Sequence, residues 1–256
     1  MTWEMLIICF CAGAAAGIGT GFAGMSAAAV IAPILATFLK IPIYDAIGIG
    51  LLSDVMASAI SAYTYKKNNN LDIKNSLILM ITILILTIIG SFVASYMPEQ
   101  SMNNTMQIAM IIIGLRFIIK PVTTPKEKFK NKSKTKLIIQ SILGGIFIGF
   151  ICGFVGAGGG MMMLFVLTTF LGYPLHMAVG TSVFIMSFTA LTGGISHFAI
   201  SGLPNINILL LCVIFTLLWA LIASKIANKS KPIILNRVVG IILIITSLII
   251  LFVKYL

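Results

Sequence analysis

The chain has 256 residues, 59% of them hydrophobic and only 9% charged, with a mean hydropathy of +1.13. That composition excludes an ordinary soluble domain and predicts an all-α polytopic membrane protein built from apolar runs of about 20 residues. The net charge of +11 sits in lysines placed in short loops between those runs, the pattern of cytoplasmic anchors rather than of a nucleic-acid-binding surface.

The first run, Met5–Phe22, follows Glu4 with no basic segment before it, so it reads as a retained helix rather than a cleaved signal. Cys9 and Cys11 point to different sides of it; with Cys152 and Cys212, also in apolar runs, they suggest neither a disulfide nor a metal clip. Gly13, Gly17 and Gly21 share one helix face, a spacing that lets another helix approach backbone to backbone. Gly21, Gly24, Met25 and Ser26 then break the helix, and a short run, Ser26–Leu39, follows. Pro42 precedes Tyr44–Tyr65, near N1, where its missing N–H is harmless. Asp45 lies at the start of this segment and Asp54 inside it, beside Ser53; Tyr63 and Tyr65 fit an interfacial belt. Lys74–Tyr96 and Met102–Lys120 complete a first half, residues 1–120. Residues 121–135, with two prolines and alternating lysines, read as a basic cytoplasmic linker.

Residues 136–256 form a second half with segments Lys136–Phe154, Met161–Leu171, Leu175–Ile200, Asn205–Ile226 and Leu235–Val253. It repeats the first. Gly13, Gly17, Gly21, Gly24, Pro42, Ala46 and Gly48 meet Gly145, Gly149, Gly153, Gly156, Pro174, Ala178 and Gly180, always 132 positions on. The copies are unequal: the second has Gly158, Gly159 and Gly160 where the first has Ser26, Ala27 and Ala28. Segments Ser26–Leu39 and Met161–Leu171 are too short for a full crossing, so eight to ten transmembrane or re-entrant segments are expected. Lys66 and Lys67 follow the third segment while its partner loop, Ser201–Leu203, is uncharged. Conversely, the loop around Glu99 lacks a base, while its counterpart holds Lys225, Lys229 and Lys231. These charges predict an inverted repeat about an axis in the membrane plane, with basic loops cytoplasmic and both termini outside; Lys254 opposes this mildly.

A glycine break exposes backbone N–H groups that hydrocarbon cannot satisfy, and the helix start after it favours an anion. This makes Gly21, Gly24, Ser26, Gly156, Gly158, Gly159 and Gly160 candidate substrate contacts, with Thr181 and Ser182 one to two turns beyond Pro174. Ionisable groups inside apolar runs are costly and therefore functional candidates. Asp54, His176 and His197 are the candidates for coupling or gating. An ionised Asp54 facing an anion would repel it, so an anion site requires Asp54 to be protonated or set apart. A hydrolase using Ser182 and His197 is disfavoured, because fifteen residues on one helix separate them by about 22 Å. No enzyme activity, cofactor or metal is expected, since cation coordination would need several inward carboxylates.

Gly149, Gly153, Gly156, Gly158, Gly159, Gly160, Pro174, Ala178, Gly180, Thr181 and Ser182 together resemble the motif of the TauE/SafE family of membrane permeases. The first half matches more loosely at Gly17, Gly21, Gly24, Pro42, Ala46 and Gly48 and lacks the triple glycine and the Thr-Ser pair. The resemblance implies export or uptake of small sulfur-containing anions such as sulfite, sulfoacetate or related organosulfonates, in a multi-pass protein of the cell membrane. A channel or permease for another anion or a metal cation is the alternative. The partners to consider are the anion, the lipid bilayer, a coupling proton and a second copy of the chain.

Overall fold

The structure, a computed structural model, describes residues 3–98, 101, 104, 108, 111–112, 114–116, 118–120, 134–155 and 159–255. Among the described residues every regular element is helical. The first half contains α1 (Trp3–Ala23), α2 (Ala28–Phe38), α3 (Ile43–Lys67) and α4 (Leu77–Ala94). The described residues between 101 and 119 are helical, where Met102–Lys120 was expected. The second half contains α5 (Lys134–Val155), α6 (Gly159–Phe165) continued by a π turn (Val166–Phe170), α7 (Leu175–Ser201), α8 (Ile206–Ala227) and α9 (Pro232–Tyr255). Most of the 121–135 segment lies outside the described residues, as does Glu99.

Six of these helices (α1, α3, α4, α5, α7 and α8) are long and apolar enough to cross a membrane. The chain is a multi-pass membrane protein. α2 has only 11 residues, about 16 Å at ~1.5 Å per residue, roughly half of a hydrocarbon core of about 30 Å. It is nonetheless among the most buried elements, with Ala28 through Pro33 all shielded. Isoleucines and phenylalanines on α4, among them Ile81, Ile85, Ile88 and Phe92, point outward instead, as lipid-facing residues should.

The glycine stripes explain how the halves join. Apolar side chains gain little from leaving lipid for protein, so helices in a membrane associate through close packing. α1 lies along α8, and α5 lies along α4, so each half's first helix docks on the other half's fourth. A Cβ on Gly17 would fall 2.5 Å from the Thr216 carbonyl oxygen, and one on Gly149 would fall 2.6 Å from that of Ile83. One level on, added Cβ atoms at Gly21 and Gly153 would each sit 2.8 Å from a backbone nitrogen, of Ser224 and Ser91 respectively. The two interfaces repeat one another in register. Anything larger than hydrogen at these positions would force α1 off α8 or α5 off α4.

α3 and α7 also pack together, and they run antiparallel: Gly180 meets Tyr65, Gly194 meets Leu52, and Gly48 meets His197 and Phe198. Pro42 and Pro174 stand immediately before these two helices, as expected, and are their N-caps in matching extended conformations. Asn70 donates to Asn228 at 3.2 Å, which brings the loops carrying Lys66, Lys67 and Lys229 to one end of the molecule. α5 begins at this same end, because Gly145 lies against Leu79 and Thr82 near the start of α4.

Candidate functional site

The first helix break is a tight reversal. α1 ends at Ala23, Gly24 adopts the left-handed conformation (φ 61°), and α2 starts at Ala28. Glycine takes that backbone conformation without the strain a side chain would add. Gly24 N–H caps the Thr20 carbonyl at 2.9 Å, and the Thr20 hydroxyl donates to the Met25 carbonyl at 2.8 Å, closing the turn on itself.

Asp54 reaches into this turn from the middle of α3. It is fully buried. Its Oδ2 accepts from the Ala27 N–H at 3.0 Å, at the start of α2, and its Oδ1 accepts from the Ser58 hydroxyl at 2.8 Å. The Thr20 hydroxyl lies 3.4 Å from Oδ1, a secondary contact because its proton already serves Met25. Both carboxylate oxygens are thus engaged by first-half donors. Burying a carboxylate costs several kcal/mol, and these donors, together with the partial positive charge of a helix start, offset that cost.

Gly156 and Gly158 lie outside the described residues. Gly159 opens α6 beside Cys152, whose Sγ would be 2.8 Å from an added Cβ. Gly160 faces the Gly24 carbonyl so closely that a Cβ there could not coexist with it, and the Met186 side chain flanks the same spot. A Cβ on Gly24 would in turn lie 2.5 Å from the Ser182 Oγ. Gly24, Gly160, Ser182 and Met186 therefore meet where the two halves touch. The Ser182 hydroxyl donates to the Val179 carbonyl in its own helix at 2.8 Å.

Other candidates lie elsewhere. The Thr181 hydroxyl accepts from the Asp72 N–H at 3.1 Å, holding the α3–α4 loop. His197 stacks on Tyr44, ring centroids 4.3 Å apart; Tyr44 is ten residues from Asp54, about 15 Å along α3. Its Nδ1 lies 2.9 Å from the Gly193 carbonyl, which can only accept, so Nδ1 carries the proton. Among the described residues, His197 Nε2 and His176 Nε2 are buried without a hydrogen-bond partner. Ser182 and His197 sit on one uninterrupted helix and do not approach each other. Tyr63 is exposed as an interfacial residue would be. Tyr65, expected beside it in the belt, is instead fully buried and donates to the Gly21 carbonyl at 3.2 Å.

Sequence reasoning missed Thr20, Ser58, Met186, Asp72 and Tyr173. Ser58 was within reach of it, one turn beyond Asp54 on the same face. Nothing in the spacing of Thr20 or Tyr173 announces their partners.

Residues 9–250 match the family described as Sulfite exporter TauE/SafE, which is nearly the whole chain. The chain belongs to that family. No curated protein and no solved structure matches it. The TauE/SafE match together with six apolar helices makes it a membrane transporter, and it accords with the motif around Gly149–Ser182.

Proposed function

We propose that this chain is a secondary transporter that exports small sulfur-containing anions such as sulfite, sulfoacetate or related organosulfonates. It works by alternating access about a midplane site between two glycine-rich helix breaks, in two inverted-topology repeats with the lysine-bearing end cytoplasmic. The observation that carries the site is the contact of Gly24 with Gly160 and Ser182, on elements from opposite halves. The antiparallel run of α3 and α7 and the gathering of basic loops at one end support the inversion. Backbone N–H groups at the start of α6, with the Ser182 hydroxyl nearby, would receive the oxyanion. Gly21 and Ser26 frame the first break, and His176 and His197, whose buried Nε2 atoms have no hydrogen-bond partner among the described residues, are the groups this reading assigns to gating or coupling.

At the lysine-bearing end the α3–α4 loop is held to α7 through Thr181 and to the end of α8 through Asn228, bonds that opening of this end would have to release. Counterflow of labelled sulfite, sulfoacetate and sulfate in proteoliposomes, with and without a pH gradient, tests substrate and coupling together. Sulfite or a sulfonate should exchange, and Ser182→Ala should weaken that exchange without loss of folded protein. Exchange of sulfate alone, or of none of the three, overturns the reading.

A further inference from the structure

The two breaks differ in what their helix starts meet. Positions 132 apart are structural counterparts in this region, so Thr20 corresponds to Cys152, Ala27 to Gly159, Asp54 to Met186 and Ser58 to Ala190. The first half therefore surrounds its break with a carboxylate and two hydroxyls, and the second half has a thiol, a thioether and a methyl group in their places. In the first half the N–H of Ala27 points at Asp54 Oδ2, 3.0 Å away, with Ser58 closing on the other oxygen at 2.8 Å. A carboxylate at an 11-residue helix start, held by backbone N–H and hydroxyl, is the arrangement in which proteins bind small oxyanions.

We propose that Asp54 is a built-in anion: it fills the first half's copy of the anion site, so that this half has no vacancy for substrate and only the second half receives one. This rests on the transporter reading for the second half, but the first-half claim concerns a carboxylate already in place. It accounts for the retention of a charged group at 0% exposure within an apolar helix, where charge is tolerated only for a purpose. Both oxygens of Asp54 are turned to first-half donors, which offset part of the repulsion that an anion in the second half would meet.

Chemical rescue tests this on the purified full-length protein. Asp54→Gly leaves the Ala27 N–H and the Ser58 hydroxyl around a space the size of a carboxylate. Its melting temperature should fall below that of wild type, and formate should restore more than half of the loss. Formamide, equal in size but neutral, should restore none, and wild type should not respond to either. Rescue by both equally, or by neither, overturns the proposal. Should Asp54→Gly not fold, Asp54→Asn decides: it keeps the shape and loses the charge, so it should melt below wild type, and an unchanged melting temperature overturns the proposal. The counterflow assay is separate. Failure of sulfite exchange with formate rescue intact defeats the transport reading alone, and failure of rescue with sulfite exchange intact defeats this one alone.

Discussion

The loop between α3 and α4 and the loop between α7 and α8 leave two antiparallel helices at opposite ends of the molecule, and they are held quite differently. The α3–α4 loop is tied to the other half three times: the Asp72 N–H to Thr181, the Tyr173 hydroxyl to Asp72 Oδ2 at 3.1 Å, and Asn70 to Asn228. Inside the loop, the Ser76 hydroxyl donates to the Asp72 carbonyl at 2.7 Å, and Asn75 brackets the Asp72 carboxylate. Among the described residues the α7–α8 loop is held by local bonds, among them the Gly202 N–H to the Phe198 carbonyl and the Asn207 N–H to the Asn205 side chain, each at 3.0 Å. Leu203 in it is 89% exposed, and nothing lies within 4 Å of where a Cβ on Gly202 would be. At that end Tyr44 stacks on His197, His197 and Phe198 lie against Gly48, and the Tyr44 hydroxyl donates to the Ser91 carbonyl. One end is latched by directional bonds, the other held by packed side chains. In the alternating-access reading proposed above, each closure would be released without the other.

The largest effect should come from making the latch permanent. With Asn70→Cys and Asn228→Cys in a background lacking the four native cysteines, oxidation should join the α3–α4 loop to the end of α8. Exchange should then fall at least about tenfold, which corresponds to ~1.4 kcal/mol, and recover on reduction. Full exchange with the cross-link formed would show that this end never opens during transport. A cysteine at Gly202 would find no described atom within 4 Å of its Cβ, so it offers no comparable cross-link from that loop.

Steric changes should come next, again unequally. A Cβ on Gly180 would run into the Asn70 carbonyl and lie 2.8 Å from the Tyr65 Cβ. Gly180→Ala should cost about 1–3 kcal/mol, the usual price of overpacking, seen as a lower melting temperature in detergent. Gly202→Ala meets no described atom, but at φ 90° and ψ 178° the backbone lies in a region essentially confined to glycine, and that strain alone costs about 1–3 kcal/mol. The two variants then differ in where they act: hydrogen exchange across residues 68–76 should rise in Gly180→Ala and stay at the wild-type level in Gly202→Ala, and an equal rise in both breaks the comparison. Thr181→Val removes the acceptor of the Asp72 N–H, and Tyr173→Phe removes a donor to its carboxylate. Each should cost about 1 kcal/mol and raise hydrogen exchange across residues 68–76. Burial and the neighbouring Asp72 carboxylate push the Tyr173 hydroxyl above its ordinary range, so this donor stays protonated and the latch should persist into mildly alkaline solution.

Much of the fold was legible because glycine, proline and lysine carry positional meaning in an apolar chain. Helix limits, the shortness of α2 and the break at Gly24 follow from spacing, and loop lysines place one end. The glycine stripes foretold that some helix would come close, but not that α1 would choose α8 while α5 chose α4. Spacing names a face and leaves its partner unnamed. For the same reason Asp54 was legible as a costly buried charge, while its donor on Ala27 was not: a backbone N–H has no residue type to betray it. Thr181 shows the same limit. Its hydroxyl is a candidate substrate contact by sequence, and its bond to a loop 109 residues away in sequence was not legible there.

The smallest effect is the sharpest check on the free loop. Leu203→Ser places a hydroxyl where an isobutyl group already faces outward, with no hydrogen bond or close packing to lose. Its melting temperature should match wild type, within about 0.5 kcal/mol, and its exchange rate should match as well. A marked loss of stability would mean that Leu203 is covered in the working protein, by lipid or by a second copy of the chain. Cross-linking through a cysteine at position 203 would distinguish these, since only a second copy yields a covalent dimer. The α7–α8 loop would then be held from outside as firmly as its counterpart is held from within, and the asymmetry between the two ends would disappear.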